Sequence, residues 1–137
     1  MGGARTYRVP HQSAPFRVLC VDDDVHVLTV LTDTLSAHGY QVETAVDGSH
    51  GLQKLATAEW PYHLIIADAR MPHLDGWRFI MQARANGFAG GVIIFSGWLD
   101  DAERTRYREL RIDALVDKPP EPGALLAAVK SIAARGH

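Results

Sequence analysis

Acidic and hydrogen-bonding residues in this chain stand at the ends of short apolar runs. Val18-Leu19-Cys20-Val21 leads into Asp22-Asp23-Asp24, Leu64-Ile65-Ile66-Ala67 into Asp68, Val92-Ile93-Ile94-Phe95 into Ser96-Gly97, and Ala114-Leu115-Val116 into Asp117-Lys118-Pro119. Carboxylates gathered at one edge repel, so such a group must bind a cation or protonate in part. With no His or Cys among these strand-end residues themselves, the oxygen set selects a hard ion, Mg2+ or Mn2+, held by one or two carboxylates while water and phosphate oxygens fill the other positions. Asp68 is then free to be a nucleophile. A carboxylate accepts a phosphoryl group as an acyl phosphate, and a metal neutralises one side of the transferring group. Lys118 as a point charge and the Ser96 hydroxyl supply donors for the phosphoryl oxygens, and Gly97 leaves the approach to Asp68 clear of a side chain.

These residues meet only if the runs are parallel strands of one sheet. Five candidate strands, 16–21, 41–45, 63–67, 91–95 and 114–116, alternate with segments of helical spacing. Val25, Leu28, Leu31 and Leu35 mark the first helix, Leu52 and Leu55 the second, Trp77, Ile80 and Ala83 the third, and Leu125, Leu126, Val129 and Ile132 the last. The fourth, opening Asp100-Asp101-Ala102-Glu103, is less apolar and carries Arg104, Arg106, Arg108 and Arg111; its start reads as an N-cap with an acid three residues on. Gly39 and Gly87 stand where helices stop, and Pro119, Pro120 and Pro122 where the last begins. The third and fourth strands are continuously apolar, as parallel strands covered on both faces must be. Strict alternation with right-handed crossovers predicts an α/β fold, a doubly wound five-stranded parallel sheet of (βα)5 type, and analogy with flavodoxin-like folds gives the strand order 2-1-3-4-5. In such a sheet ligands bind beyond the carboxyl ends of the strands, where the acids stand.

Val21-Asp22-Asp23-Asp24, then Asp68-Ala69-Arg70-Met71-Pro72-His73-Leu74-Asp75-Gly76, then Ser96-Gly97, then Lys118-Pro119 resemble the ordered signature of response regulator receiver domains. Each piece alone is weak; four in order, each closing a predicted strand, are specific. The resemblance covers residues 16 to 135. It implies Asp22 and Asp23 as metal acids, Asp68 as phosphoacceptor and metal ligand, the Arg70 backbone carbonyl as a further ligand, Ser96 as switch hydroxyl, and Lys118 as phosphate-binding lysine before a cis peptide at Pro119. It further implies Mg2+ as cofactor and a sensor histidine kinase or histidine phosphotransfer protein as donor. The output is then a downstream protein target or an output domain outside this chain, with a homodimer as another partner mode. The chain is expected to be a signalling switch that catalyses its own aspartyl phosphorylation and slow dephosphorylation, not a turnover enzyme.

Three departures from the family pattern bear on readout. Leu115 stands three before Lys118, where an aromatic is usual; Arg111-Ile112-Asp113 replaces the usual Gly-Ala-Asp; and Pro120 follows Lys-Pro in place of Phe. Arg70 and Trp98 occupy the places that flank the phosphoryl group, and the Trp98 indole is expected to impede hydrolytic water.

The bulk numbers narrow the alternatives. A chain of 137 residues with 47% hydrophobic residues fits one domain, residues 16–137, after a leader, 1–15, read as disordered because it has neither period. Fourteen Lys and Arg nearly balance sixteen Asp and Glu, so no global field favours nucleic acid or an anionic membrane, and no helix-turn-helix is present to read DNA. No run approaches the roughly 18 apolar residues of a membrane span, and the single Cys20 suits a reducing compartment; the expected location is cytoplasmic. Asp24 and Asp75 read more simply as helix caps, and of the seven His, His26, His38, His50, His63 and His73 fall one per element without a ligand-like pair. The Arg residues of the fourth helix divide between a solvated face, with Asp100 spaced to support Arg104, and a docking surface. Two other classes share the architecture. An aspartate-nucleophile phosphatase wants a second Asp two residues after the first, where Arg70 stands, and a flavin-binding flavodoxin wants hydroxyl and amide donors, not acids, after the first strand.

Overall fold

The computed structural model describes residues 15–119 and 123–135. The expected leader lies outside these residues apart from Pro15, as do Pro120 and Pro122. Five strands alternate with five helices: β1 (Arg17–Val21), α1 (Val25–Ser36), β2 (Gln41–Ala45), α2 (Gly48–Thr57), β3 (Leu64–Ala67), α3 (Gly76–Ala85), β4 (Gly91–Ser96), α4 (Asp101–Arg108), β5 (Ala114–Asp117) and α5 (Ala124–Ala133). All neighbouring strands are parallel, in the order β2-β1-β3-β4-β5, which is the doubly wound order expected from the alternation.

The period of two along the strands divides the core into two layers. Leu19 and Val21, Ile65 and Ala67, and Val92 and Ile94 face one side, where Phe79, Ile80 and Ala83 of α3 and Tyr107 of α4 cover them. Val18 and Cys20, Leu64 and Ile66, and Ile93 and Phe95 face the other, under Leu28, Leu31 and Leu35 of α1 and Leu125, Val129 and Ile132 of α5. Central strands with both faces covered are therefore apolar without a break, and polarity returns only where a strand emerges from the two layers.

Carboxylates also start four of the helices. Asp24 accepts from the His26 amide at 2.9 Å, Asp47 from His50 at 2.8 Å and Asp75 from Arg78 at 2.9 Å, each satisfying an amide that has no partner within its helix. Asp100 and Glu103 form the reciprocal capping box expected at α4. Gly39 and Gly87, with φ of 87° and 103°, take the left-handed positions just beyond α1 and α3. Arg104 departs from its expected partner: it pairs with Asp117 at 3.0 Å and donates through Nε to the Leu99 carbonyl at 3.2 Å, so it joins α4 to β5 rather than decorating one helix. Arg106 lies over the Trp77 ring, 4.4 Å from its centroid, while the indole donates to the Arg106 carbonyl.

Candidate phosphoacceptor site

The sheet ladder runs on past the strand ends and fixes the site residues in register. The Asp68 amide donates to Val21 O at 3.0 Å, the Asp22 amide to Ala45 O at 3.1 Å and the Lys118 amide to Ser96 O at 2.8 Å. Asp22, Asp68 and Lys118 are thus the first residues beyond β1, β3 and β5, still held by the neighbouring strand, and Ser96 closes β4. Asp22 is 2% exposed, Ser96 2% and Asp68 9%, whereas Asp23 and Arg70 are exposed at the mouth.

Ser96 Oγ donates to Asp68 Oδ1 at 2.8 Å. Lys118 Nζ lies 2.6 Å from Asp22 Oδ2 and 3.6 Å from Asp68 Oδ2, and the Asp24 amide donates to Asp22 Oδ1 at 2.9 Å. Burial pushes the Asp22 carboxyl above its ordinary range; the hydrogen bonds from Lys118 and Asp24 oppose that push and the Asp68 charge adds to it. Single oxygens of Asp22, Asp23 and Asp68 lie within 4.8 Å of one another. Three hard oxygen donors with only one ammonium among them suit a small divalent cation. Among the described residues this is the one group able to hold a metal, and no His belongs to it. His73, in the loop after the acceptor, is exposed with φ of 68°.

The segment after Asp68 folds back on it. The Arg70 amide donates to Asp68 Oδ1 at 3.3 Å, and Gly76 packs so closely that a Cβ there would stand 2.3 Å from the Asp68 carbonyl oxygen. Gly76, the first residue of α3, thus permits the close passage of that helix behind Asp68. The Lys118–Pro119 bond is cis, as the resemblance implied.

All six expected residues, Asp22, Asp23, Asp68, Arg70, Ser96 and Lys118, meet at this edge. Trp98 is 76% exposed, and its carbonyl accepts from Arg70 at 3.0 Å. Two features escaped sequence reasoning. Glu103 does more than cap α4, because it also pairs with the Arg70 side chain at 3.1 Å. Tyr107, the one aromatic in an otherwise polar helix, is buried; its hydroxyl is 3.5 Å from the Ala69 carbonyl, and burial raises its pKa so that it remains a phenol. Its isolation in Asp101–Arg108 was the available signal. Half-buried Leu115 packs against the same core as Tyr107. Asp23, Arg70, Glu103 and Tyr107 line part of a cavity of about 490 Å³ beside the acceptor.

A doubly wound sheet with a buried aspartate, a hydroxyl, a lysine and a carboxylate pair at its carboxyl edge defines a phosphoacceptor switch of the flavodoxin-like class. The chain belongs to the response regulator receiver domain family, whose model matches residues 18–130. It is similar to a probable chemotaxis protein CheY of Rhizobium etli, 34% identical over 119 residues, covering 85% of this chain and 91% of the relative. Its fold is similar to a response regulator receiver protein from Pseudomonas putida, with a TM-score of 0.82 at 28% identity over 87% of this chain and 98% of that one. It is also similar to the response regulator TrrA of Thermotoga maritima in complex with Mg2+-BeF, with a TM-score of 0.74 at 26% identity over 85% and 97% of the two chains. Other curated relatives are longer, and the chain spans about half of their length or less. This is a receiver domain of two-component signalling, a switch and not a conventional enzyme. No helix among the described residues is long and apolar enough to cross a membrane.

Proposed function

We propose that Asp68 accepts a phosphoryl group from a phosphohistidine of a sensor kinase or phosphotransfer protein and thereby switches the output region of this chain. The single observation that carries the reading is the buried Asp68 carboxylate with a hydroxyl on one oxygen and an ammonium near the other. In the transfer a carboxylate oxygen of Asp68 attacks phosphorus, the bond from phosphorus to the donor nitrogen breaks, and the electron pair leaves with the imidazole, which takes up a proton. Ser96 and Lys118 donate to the oxygens of the transferred group, and the Arg70 amide helps to fix the carboxylate rotamer.

The oxygen donors fit Mg2+ or Mn2+, with Asp22, Asp23, Asp68 and the Arg70 carbonyl as the residues that would hold it; when bound, the ion supplies charge neutralisation for the phosphoryl oxygens. The solved relative in complex with Mg2+-BeF supports that reading. Because this chain's own groups assemble the site, it catalyses its own modification, and a cytoplasmic setting and an output partner or domain follow from the donor chemistry.

Incubation with acetyl phosphate and Mg2+, followed by intact-mass measurement, tests the reading. One phosphoryl group should add to the wild-type chain and none to Asp68→Asn. Labelling of Asp68→Asn to the same stoichiometry would overturn it.

A further inference from the structure

Arg70 is held by contacts that the acceptor chemistry does not require. Its Nη2 donates to the Trp98 carbonyl at 3.0 Å and to Glu103 Oε1 at 3.1 Å, while Nη1 lies 3.1 Å from Glu103 Oε2, a forked pairing on one carboxylate. Glu103 is at the same time part of the α4 capping box. It accepts from the Asp100 amide at 3.0 Å, and Asp100 accepts from the Glu103 amide at 2.8 Å. One carboxylate therefore ties the side chain two residues past Asp68 to the first turn of α4, and the Trp98 carbonyl ties in the loop between β4 and α4.

The arrangement sets two anions in competition for one guanidinium. Arg70 starts beside the acceptor, since its own amide donates to Asp68 Oδ1. An exposed ion pair such as Arg70–Glu103 favours its closed form by no more than about fivefold. A phosphoryl group on Asp68 brings a charge of about −1.5 to −2 with three strong acceptor oxygens, to which a guanidinium fork is as well matched as to a carboxylate. We propose that Arg70 is a phosphoryl ligand held in reserve by Glu103. Modification of Asp68 draws its guanidinium off Glu103 and the Trp98 carbonyl and unpins the first turn of α4. The inference rests on Asp68 being the acceptor. It gives the chain a route from β3 to α4 that needs no aromatic at position 115.

The full chain is examined with Mg2+ and beryllofluoride as the acyl phosphate mimic, by NMR of the Arg70 side chain and by amide exchange at Glu103 and Arg104. Binding should shift the Arg70 Nε–H resonance and speed exchange in that turn by about fivefold, the full worth of an exposed pair. In Arg70→Ala the turn should exchange fast with or without the mimic, and Arg70→Lys, which keeps the charge but not the fork, should restore part of the protection. Glu103→Gln, which retains a cap acceptor but releases the arginine, should bind beryllofluoride about threefold more tightly. Acetyl phosphate labelling in parallel separates the two ideas. Normal labelling of Asp68 with an α4 turn indifferent to the mimic, or an Arg70→Ala turn that responds as wild type does, overturns the latch alone. No label on Asp68 overturns both.

Discussion

The Ser96 hydroxyl and the Asp68 carboxylate are joined at 2.8 Å across the ends of β4 and β3, so acceptor and hydroxyl form one unit before any phosphoryl group arrives. The same hydroxyl can turn to a phosphoryl oxygen, a charge-assisted bond stronger than one between neutral groups. Ser96→Ala should weaken magnesium beryllofluoride binding about tenfold, in keeping with a hydrogen bond to a charged group. Ser96→Thr should stay close to wild type. Equal affinity for Ala and Ser, read by titration calorimetry, would remove Ser96 from the site.

Metal binding should be coupled to pH through Asp22. Its carboxyl is held above the ordinary range by burial, so without metal its contribution to stability is full at low pH and is lost as pH rises through the raised value. A divalent cation needs the carboxylate and recovers that loss. The stabilisation by Mg2+, read from the rise in melting temperature, should therefore grow as pH rises from the acid range to neutrality, and at about 100 times the dissociation constant it should reach about 2.7 kcal/mol of free energy. A gain that stays flat with pH would exclude Asp22 as a ligand.

Two glycines of the site should differ sharply in tolerance. A Cβ at Gly76 meets the Asp68 carbonyl oxygen at 2.3 Å, while one at Gly97 meets nothing within 4 Å. Gly76→Ala should cost about 1–3 kcal/mol or more by overpacking and slow labelling as well, whereas Gly97→Ala should be near neutral in stability. Urea unfolding of the two variants decides, and equal losses would mean that the approach of α3 to the acceptor is not constrained.

Cys20 should be chemically silent. It is fully buried in β1, and burial, reinforced by the Asp22 charge, pushes the thiol up to about 12. The thiolate is the reactive form, so iodoacetamide at pH 8 should label the folded protein far more slowly than the protein in denaturant. Comparable rates would show that β1 opens readily.

The fold was legible because its signals were local and repeated. Continuous apolar strands, helical stripes and acidic caps all implied one parallel sheet, and Asp24, Asp75 and the Asp100–Glu103 box do the capping their spacing suggested. The carboxyl edge of the sheet was legible for the same reason, each residue standing where an apolar run ends. What spacing could not carry were contacts made by long side chains between elements. Arg70 reaches Glu103 across 33 positions, and Arg104 chooses Asp117 over the nearer Asp100. The Trp98 carbonyl that Arg70 reaches is a backbone group, which residue type does not reveal.

The bond between Lys118 and Asp22 joins residues 96 positions apart. During synthesis at roughly 5–20 residues per second, Asp22 emerges on the order of 5–20 s before the lysine that neutralises it. A growing chain thus carries the buried carboxylate of this edge well before it carries the ammonium set against it. Asp22 and Lys118 can pair only once the last strand, β5, has been made, so the neutralised edge is a property of the finished sheet.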